Sequence, residues 1–259
     1  MKRSLKKSRL FNIKPIALLA AAAVMLLAST VGSTQAALTY YSENYSAKVT
    51  VSNIGVTLLE NGKEISRRNY LNDDKWDETK GTLLTNMLGE NEELVLGKSY
   101  QEAISVTNSG AIDSYVRVIL TKSWQDAQKV KDTTLSPELI DLNLVTGDSG
   151  WMIDTQASTA ERTVLYYTDV LAVGETTPSL SDTLRIDPAI GTKVVETIET
   201  KAVDGKTYQT LTYVYEYDGY TFHLDAEVDA VQTHNAEAAI KSAWGIDVKV
   251  SEDGSLSLQ

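Results

Sequence analysis

The chain has 259 residues, 42% of them hydrophobic, with 35 acidic against 24 basic residues and no cysteine. That length buries a sizeable core without metals or cross-links, even after loss of a leader. The missing cysteine excludes a disulfide framework, a thiolate metal site, thiol catalysis and lipid attachment at an N-terminal cysteine.

Lys2, Arg3, Lys6, Lys7, Arg9 and Lys14 precede an apolar run over residues 16–31, and small residues lead to Thr34-Gln35-Ala36. This three-part layout predicts a secretory signal peptide over 1–36, cleaved after Ala36, and hence a secreted protein. The alternative is an uncleaved signal anchor, since the run is slightly shorter than a membrane span. The leader holds six of the 24 basic residues and none of the 35 acidic ones, which leaves 18 basic against 35 acidic, a net charge of −17. Such a surface repels nucleic acid and anionic membrane. No second apolar span follows, so no stable membrane anchor is expected after cleavage, and residues 37–259 are expected to form a single domain.

The mature start is tyrosine-rich. Tyr45, Ala47, Val49 and Val51 then alternate, and the apolar set switches parity to Ile54, Val56 and Leu58, which predicts a strand with a bulge or bend at Asn53-Ile54-Gly55. Asn61-Gly62 is a turn signal. Residues 66–93 lose periodicity and predict a surface loop, whose acidic clusters lack the oxygen spacing of a calcium loop. Over 102–121, Ile104 and Val106 alternate before Asn108-Ser109-Gly110, and Val116, Val118 and Leu120 alternate after it. The pattern predicts a β-hairpin, and Ile119 breaks the second alternation as if that strand were covered on both faces.

Residues 123–150 are irregular and polar, with Ser136-Pro137-Glu138 a start for one helical turn. Val164 to Tyr167 predict a short strand, Leu171 to Glu175 a bend, and Leu180, Leu184 and Ile186 another strand, bracketed by Pro178 and Pro188. Asp204-Gly205 and Asp218-Gly219 predict turns in a three-stranded meander over about 193–232. In its last strand Tyr220, Phe222, Leu224, Ala226, Val228 and Ala230 face inward, and His223, Asp225, Glu227 and Asp229 face water. Asn235 is positioned to cap a short helix, with Ala236, Ala239, Ile240 and Ala243 on one side. A strand through Ile246, Val248 and Val250 and a turn at Asp253-Gly254 end the chain. Eight to ten short strands joined by turns predict an all-β, antiparallel sandwich with one or two short helices.

Catalytic motifs are lacking. The two histidines, His223 and His234, sit in no metal-pair spacing, and neither a nucleophile elbow nor a phosphate-binding glycine loop occurs. Asp225, Glu227 and Asp229 form a solvated acidic row, unlike a catalytic pair with one raised pKa in an aromatic cleft. No enzyme activity, cofactor or metal is expected. Thirteen tyrosines stand against two phenylalanines. Tyr213 and Tyr215 are expected to pack in the sandwich, whereas Tyr40, Tyr41 and Tyr45 lie on the mature N-terminal segment without an obvious partner.

Four segments together carry a resemblance: the basic signal ending in GSTQA with its tyrosine-rich sequel, ISVTNSGAIDSYVRV, YYTDVLAVGETTPSLSDTLRI, and AEVDAVQTHNAEAAIKSAWG. They resemble secreted proteins of the TasA and camelysin type, whose signal peptides are processed by a SipW-type signal peptidase. The resemblance implies a jelly-roll β-sandwich from a Gram-positive bacterium, a biofilm-matrix location, and fibres in which the N-terminal segment of one subunit adds as a strand to the next. Residues 37–48 stand in that donor role, with Leu38, Tyr40, Tyr41 and Tyr45 where the family commonly has a phenylalanine-rich start. The implied partner is another copy of the chain, with other matrix proteins as further partners. Camelysin-like relatives imply a rival activity, a secreted metalloprotease. A third alternative is a non-polymerising surface protein that anchors or caps fibres.

Overall fold

Asn61 and Gly62 both adopt left-handed backbone, at φ 50° and 76°, as the two central residues of a tight hairpin require. They join β1 (Gly55–Glu60) to β2 (Lys63–Tyr70), which pairs in turn with β3 (Trp76–Thr79). The computed structural model describes residues 53–71, 75–85, 87–88, 92–203 and 206–259. The expected leader and cleavage site, and the strand through Tyr45 to Val51, lie outside the described residues.

β2 and β3 correct the expectation of a loop over 66–93. Their sequences, KEISRRNY and WDET, bury almost nothing, so no apolar period marks them. Charge pairing supports the backbone ladder instead: Arg67 lies 3.2 Å from Asp77, Arg68 lies 3.7 Å from Glu78, and the Arg68 guanidinium sits 4.3 Å over the Trp76 ring.

β4 (Ser99–Gln101) and β5 (Ile104–Asn108) precede β6 (Ser114–Gln125). The predicted hairpin over 102–121 does not form. β5 pairs with β1, while β6 pairs with three other strands, so the chain crosses between sheets at Asn108 to Asp113. Asn108 is fully buried and fixes this corner. Its Nδ2 donates to the carbonyls of Ile112 (2.8 Å) and Leu171 (2.9 Å), and its Oδ1 accepts from Gly110 N–H (3.0 Å). Gly110 passes so close to β1 that a Cβ there would lie 2.5 Å from the Gly55 nitrogen. A tight turn would leave those groups without partners.

Residues 123–150 are more regular than expected. β6 runs to Gln125, β7 (Lys131–Asp132) pairs with its end, and β8 (Ile140–Leu144) follows a single 3-10 turn over Pro137–Leu139 capped by Ser136. The strand β9 (Trp151–Ile153) was not among the expected ones, whereas β10 (Arg162–Tyr167) and β11 (Ser181–Ile186) match the predicted apolar runs. Asp187 then caps a second 3-10 turn, Pro188–Thr192, accepting from Ala189 N–H at 2.8 Å.

β12 (Val194–Val203) and β13 (Lys206–Tyr215) pair with each other over ten residues. The expected third strand of that meander, β14 (Thr221–Gln232), pairs with β6 over twelve residues. The turn at Asp218-Gly219 forms, with Gly219 at φ 81°, but it delivers the chain to another sheet. Tyr217 explains the switch, because its buried ring packs edge-on against Trp124 at 4.9 Å and its hydroxyl accepts from Ser136 N–H. Helix α1 (Ala236–Trp244) and the hairpin of β15 (Val248–Val250) and β16 (Leu256–Leu258) end the chain. Asn235 does not cap α1 with its side chain; it adopts left-handed backbone at φ 51° instead.

The fold is an antiparallel β-sandwich. Its sheets run β3-β2-β1-β5, β14-β6-β10-β9 with β7 beside β6, and β4-β11-β8. Leu58, Ile104, Val106, Val116, Val118, Leu120, Leu184 and Leu224 share one core among these sheets. The other face of the β6 sheet is also covered: Tyr115, Ile119, Val164, Tyr166 and Val231 pack under Ile240 and Trp244 of α1. Burial of both faces explains why Ile119 breaks the alternation. Of the row of β14 expected to face water, Asp225 and Glu227 are exposed, whereas His223 and Asp229 are half-buried.

Candidate functional site

β14 forms the end of its sheet. It alternates for its whole length, and β6 occupies one of its edges, leaving the other unpaired among the described residues. Such an edge presents a row of backbone donors and acceptors that must find water or a partner.

That edge borders a groove facing β1 and β2. A cavity of about 290 Å³ is lined by Val56, Leu58, Ala226 and Val228, with Arg67, Arg68, Glu78, Lys80 and Glu227 around it. A second, of about 210 Å³, shares Val56, Arg68 and Val228 and continues to Ala230, Ala243 and Trp244. A third, of about 120 Å³, shares Leu58, Ser66 and Ala226 and continues to Leu224 and Leu83. The three are contiguous through these shared residues. They follow β14 from Leu224 to Ala230, about 20 Å at the usual rise of a strand.

The groove lining is mixed: apolar side chains of β1 and β14 run beside charged and polar ones from β2 and β3. Ala226, Val228 and Ala230 are only half-buried although their alternation points them inward, so each retains apolar surface to cover. Trp76, with 46% of its surface exposed, stands near the Trp244 end. The geometry can receive an extended segment whose alternate side chains enter the three cavities while its backbone bonds to β14.

The expected interface residues Leu38, Tyr40, Tyr41 and Tyr45 lie outside the described residues, as does Ala36. Tyr213 and Tyr215, expected in the core, are instead exposed on the β12–β13 ribbon, at 58% and 56%. Of the acidic row, Asp225 and Glu227 are exposed, whereas Asp229 pairs with Arg117 across β6, Nε to Oδ2 at 2.9 Å. Among the described residues, His223 bonds with the Thr221 hydroxyl at 3.2 Å. Among the described residues no three His, Asp or Glu side chains converge as metal ligands, and no helix is long and apolar enough to cross a membrane.

One titratable pair was not apparent from the sequence. Glu60 and Glu102 are both fully buried. The Glu60 carboxylate accepts from Leu84 N–H. Burial first and then the charge of Glu60 push Glu102 up to about 8. Glu102 therefore keeps its proton at neutral pH. Closed off from solvent, the pair serves packing and offers nothing to a substrate. Comparison with protein families, curated proteins and solved structures yields no match for this chain.

Proposed function

We propose that this chain is a secreted structural subunit of an extracellular biofilm matrix that assembles into fibres by strand donation, without enzymatic activity. Residues 37–48 of one copy seat in the groove along β14 of the next. The observation that carries this reading is the edge of β14, unpaired among the described residues, beside a contiguous groove walled by the half-buried Ala226, Val228 and Ala230. Main-chain hydrogen bonds supply the affinity, and Leu38, Tyr40, Tyr41 and Tyr45 set the register by filling alternate cavities. The contact is head-to-tail and does not close on itself, so it propagates as a filament. A SipW-type signal peptidase releases the donor by cutting after Ala36, and other matrix proteins bind the assembled fibre.

Electron microscopy of the chain starting at residue 37 tests the proposal. Fibres that vanish on deletion of residues 37–48 are the expected result. Persistent monomers from the undeleted chain overturn it in favour of an anchoring or capping role. Chelator-sensitive cleavage of casein by the same preparation overturns it in favour of a metalloprotease.

A further inference from the structure

Among the described residues the β12–β13 ribbon joins no other sheet, and its ten residue pairs run without a bulge. Residues directly opposite one another share a face, so Val194, Ile198, Leu211, Tyr213 and Tyr215 form one apolar stripe, interrupted only on β12 by Glu196 opposite Tyr213. All five are between 43% and 58% exposed, and every residue over 194–201 and 207–215 is exposed. A two-stranded ribbon without a packed face is marginal on its own.

Its two outer edges differ. β12 carries Glu196, Glu199 and Lys201, the charges that natural edge strands use against unwanted pairing. β13 carries none from Thr207 to Tyr215: nine consecutive residues, TYQTLTYVY, contain no charge, proline or glycine. Four of the nine are tyrosine or valine and three are threonine, all good strand formers.

We propose that β13 is a self-pairing edge, at which two copies of the chain join antiparallel about a two-fold axis through Leu211. The whole chain has a formal charge of −11, so copies repel over most of their surface, and an uncharged stretch is where they can meet. A two-fold contact must be complementary to itself. Leu211 is the midpoint of residues 207–215, so this register pairs all nine with themselves. Leu211 then faces Leu211, Tyr213 faces Gln209 and Tyr215 faces Thr207, and no like charges meet. The product is a four-stranded sheet in the order β12-β13-β13-β12, with both apolar stripes on one face.

The paired strip is about 30 Å long and about 10 Å wide, or about 300 Å² per partner. That is well below the roughly 800 Å² per partner of a stable dimer. The contact is therefore weak between free copies and gains from repetition when copies are arrayed. It uses a different surface from the β14 groove and stands independently of strand donation.

Because the chain has no cysteine, single-cysteine trapping tests this cleanly. Leu211→Cys and Ile198→Cys are both exposed substitutions on the same face. In the proposed sheet the two copies of position 211 are adjacent, whereas those of position 198 are about 14 Å apart, three strand spacings. With the chain starting at residue 37 and a mild oxidant, Leu211→Cys should give at least tenfold more disulfide dimer than Ile198→Cys. Adding Thr210→Lys and Thr212→Lys to Leu211→Cys should lower that yield about tenfold, with the fold checked by circular dichroism. Equal yields from the two cysteines, or no effect of the lysines, overturn the proposal. A chain that fails to form fibres can still give the 211 dimer, so the two readings fail separately.

Discussion

The carboxyl groups of Glu60 and Glu102 meet in the interior beneath Leu84, and the pair holds together because one of them keeps its proton. Neither Glu102 oxygen meets a hydrogen-bond partner, so a retained proton is what lets this carboxyl lie buried beside that of Glu60. Burial raises the folded pKa of Glu102 to about 8, far above the unfolded value near 4.3. The unfolded chain releases its proton first as pH rises. Stability from this group is therefore complete below about pH 4.3 and is lost progressively up to about pH 8. The loss amounts to about 3–5 kcal/mol over that window. Glu102→Gln removes the titration. The difference in Tm between wild type and Glu102→Gln should shift in the variant's favour from pH 5 to pH 8, measured by thermal denaturation.

Asn108 tests the corner between the sheets. Its side chain makes three hydrogen bonds, to Ile112, Leu171 and Gly110, within a fully buried site. Asn108→Ala leaves two carbonyls and an amide without those partners and should destabilise by about 2–4 kcal/mol in urea titration. Asn108→Asp should be worse at neutral pH, because a carboxylate would face the carbonyl oxygens of Ile112 and Leu171.

The hairpin expected around this residue shows what the sequence conveys and what it withholds. Ile104, Val106, Val116, Val118 and Leu120 all point into the core as their alternation indicates. Alternation specifies a strand's faces but not the neighbours at its edges. The same limit applies at Asp218-Gly219, where a good turn sequence leads β14 away from β13. β2 and β3 carry no periodicity because neither is buried, and charge pairs such as Arg67 with Asp77 are not visible as a pattern. Half of the candidate groove was legible, since the inward row of β14 is its apolar wall. The edge left unpaired among the described residues was not, because a strand's own sequence does not mark which of its edges has a neighbour.

Arg117 and Asp229 connect β6 to β14 beneath α1. The pair is largely shielded, with the side chains 15% and 30% exposed, and the Arg117 guanidinium also lies 5.3 Å from the Trp244 ring centroid. Partial burial lifts such a pair above the usual surface value. A double-mutant cycle over Arg117→Ala and Asp229→Ala should give a coupling of about 1–2 kcal/mol. Asp229→Ala alone should cost more than Asp225→Ala, which removes an exposed carboxylate from the same strand.

Filling the groove separates assembly from folding. Val228 is half-buried and lines two of the three cavities, and Ala226 lines two as well. Ala226→Leu and Val228→Phe add apolar volume where space exists, so they should leave Tm within a few degrees of wild type or raise it. The same volume is what an incoming strand's side chains would occupy. Each variant should therefore reduce fibre mass at a fixed protein concentration by at least tenfold in a sedimentation assay. Excess variant should also fail to act as an acceptor for wild-type donors while its own residues 37–48 still add to wild-type ends. Mixed at low proportion, the variant should then stop fibre growth at the end it occupies and shorten fibres seen by electron microscopy. Unchanged fibre mass and length with both substitutions would show that the donor binds elsewhere, since no strand could enter the groove past two enlarged side chains on its β14 wall.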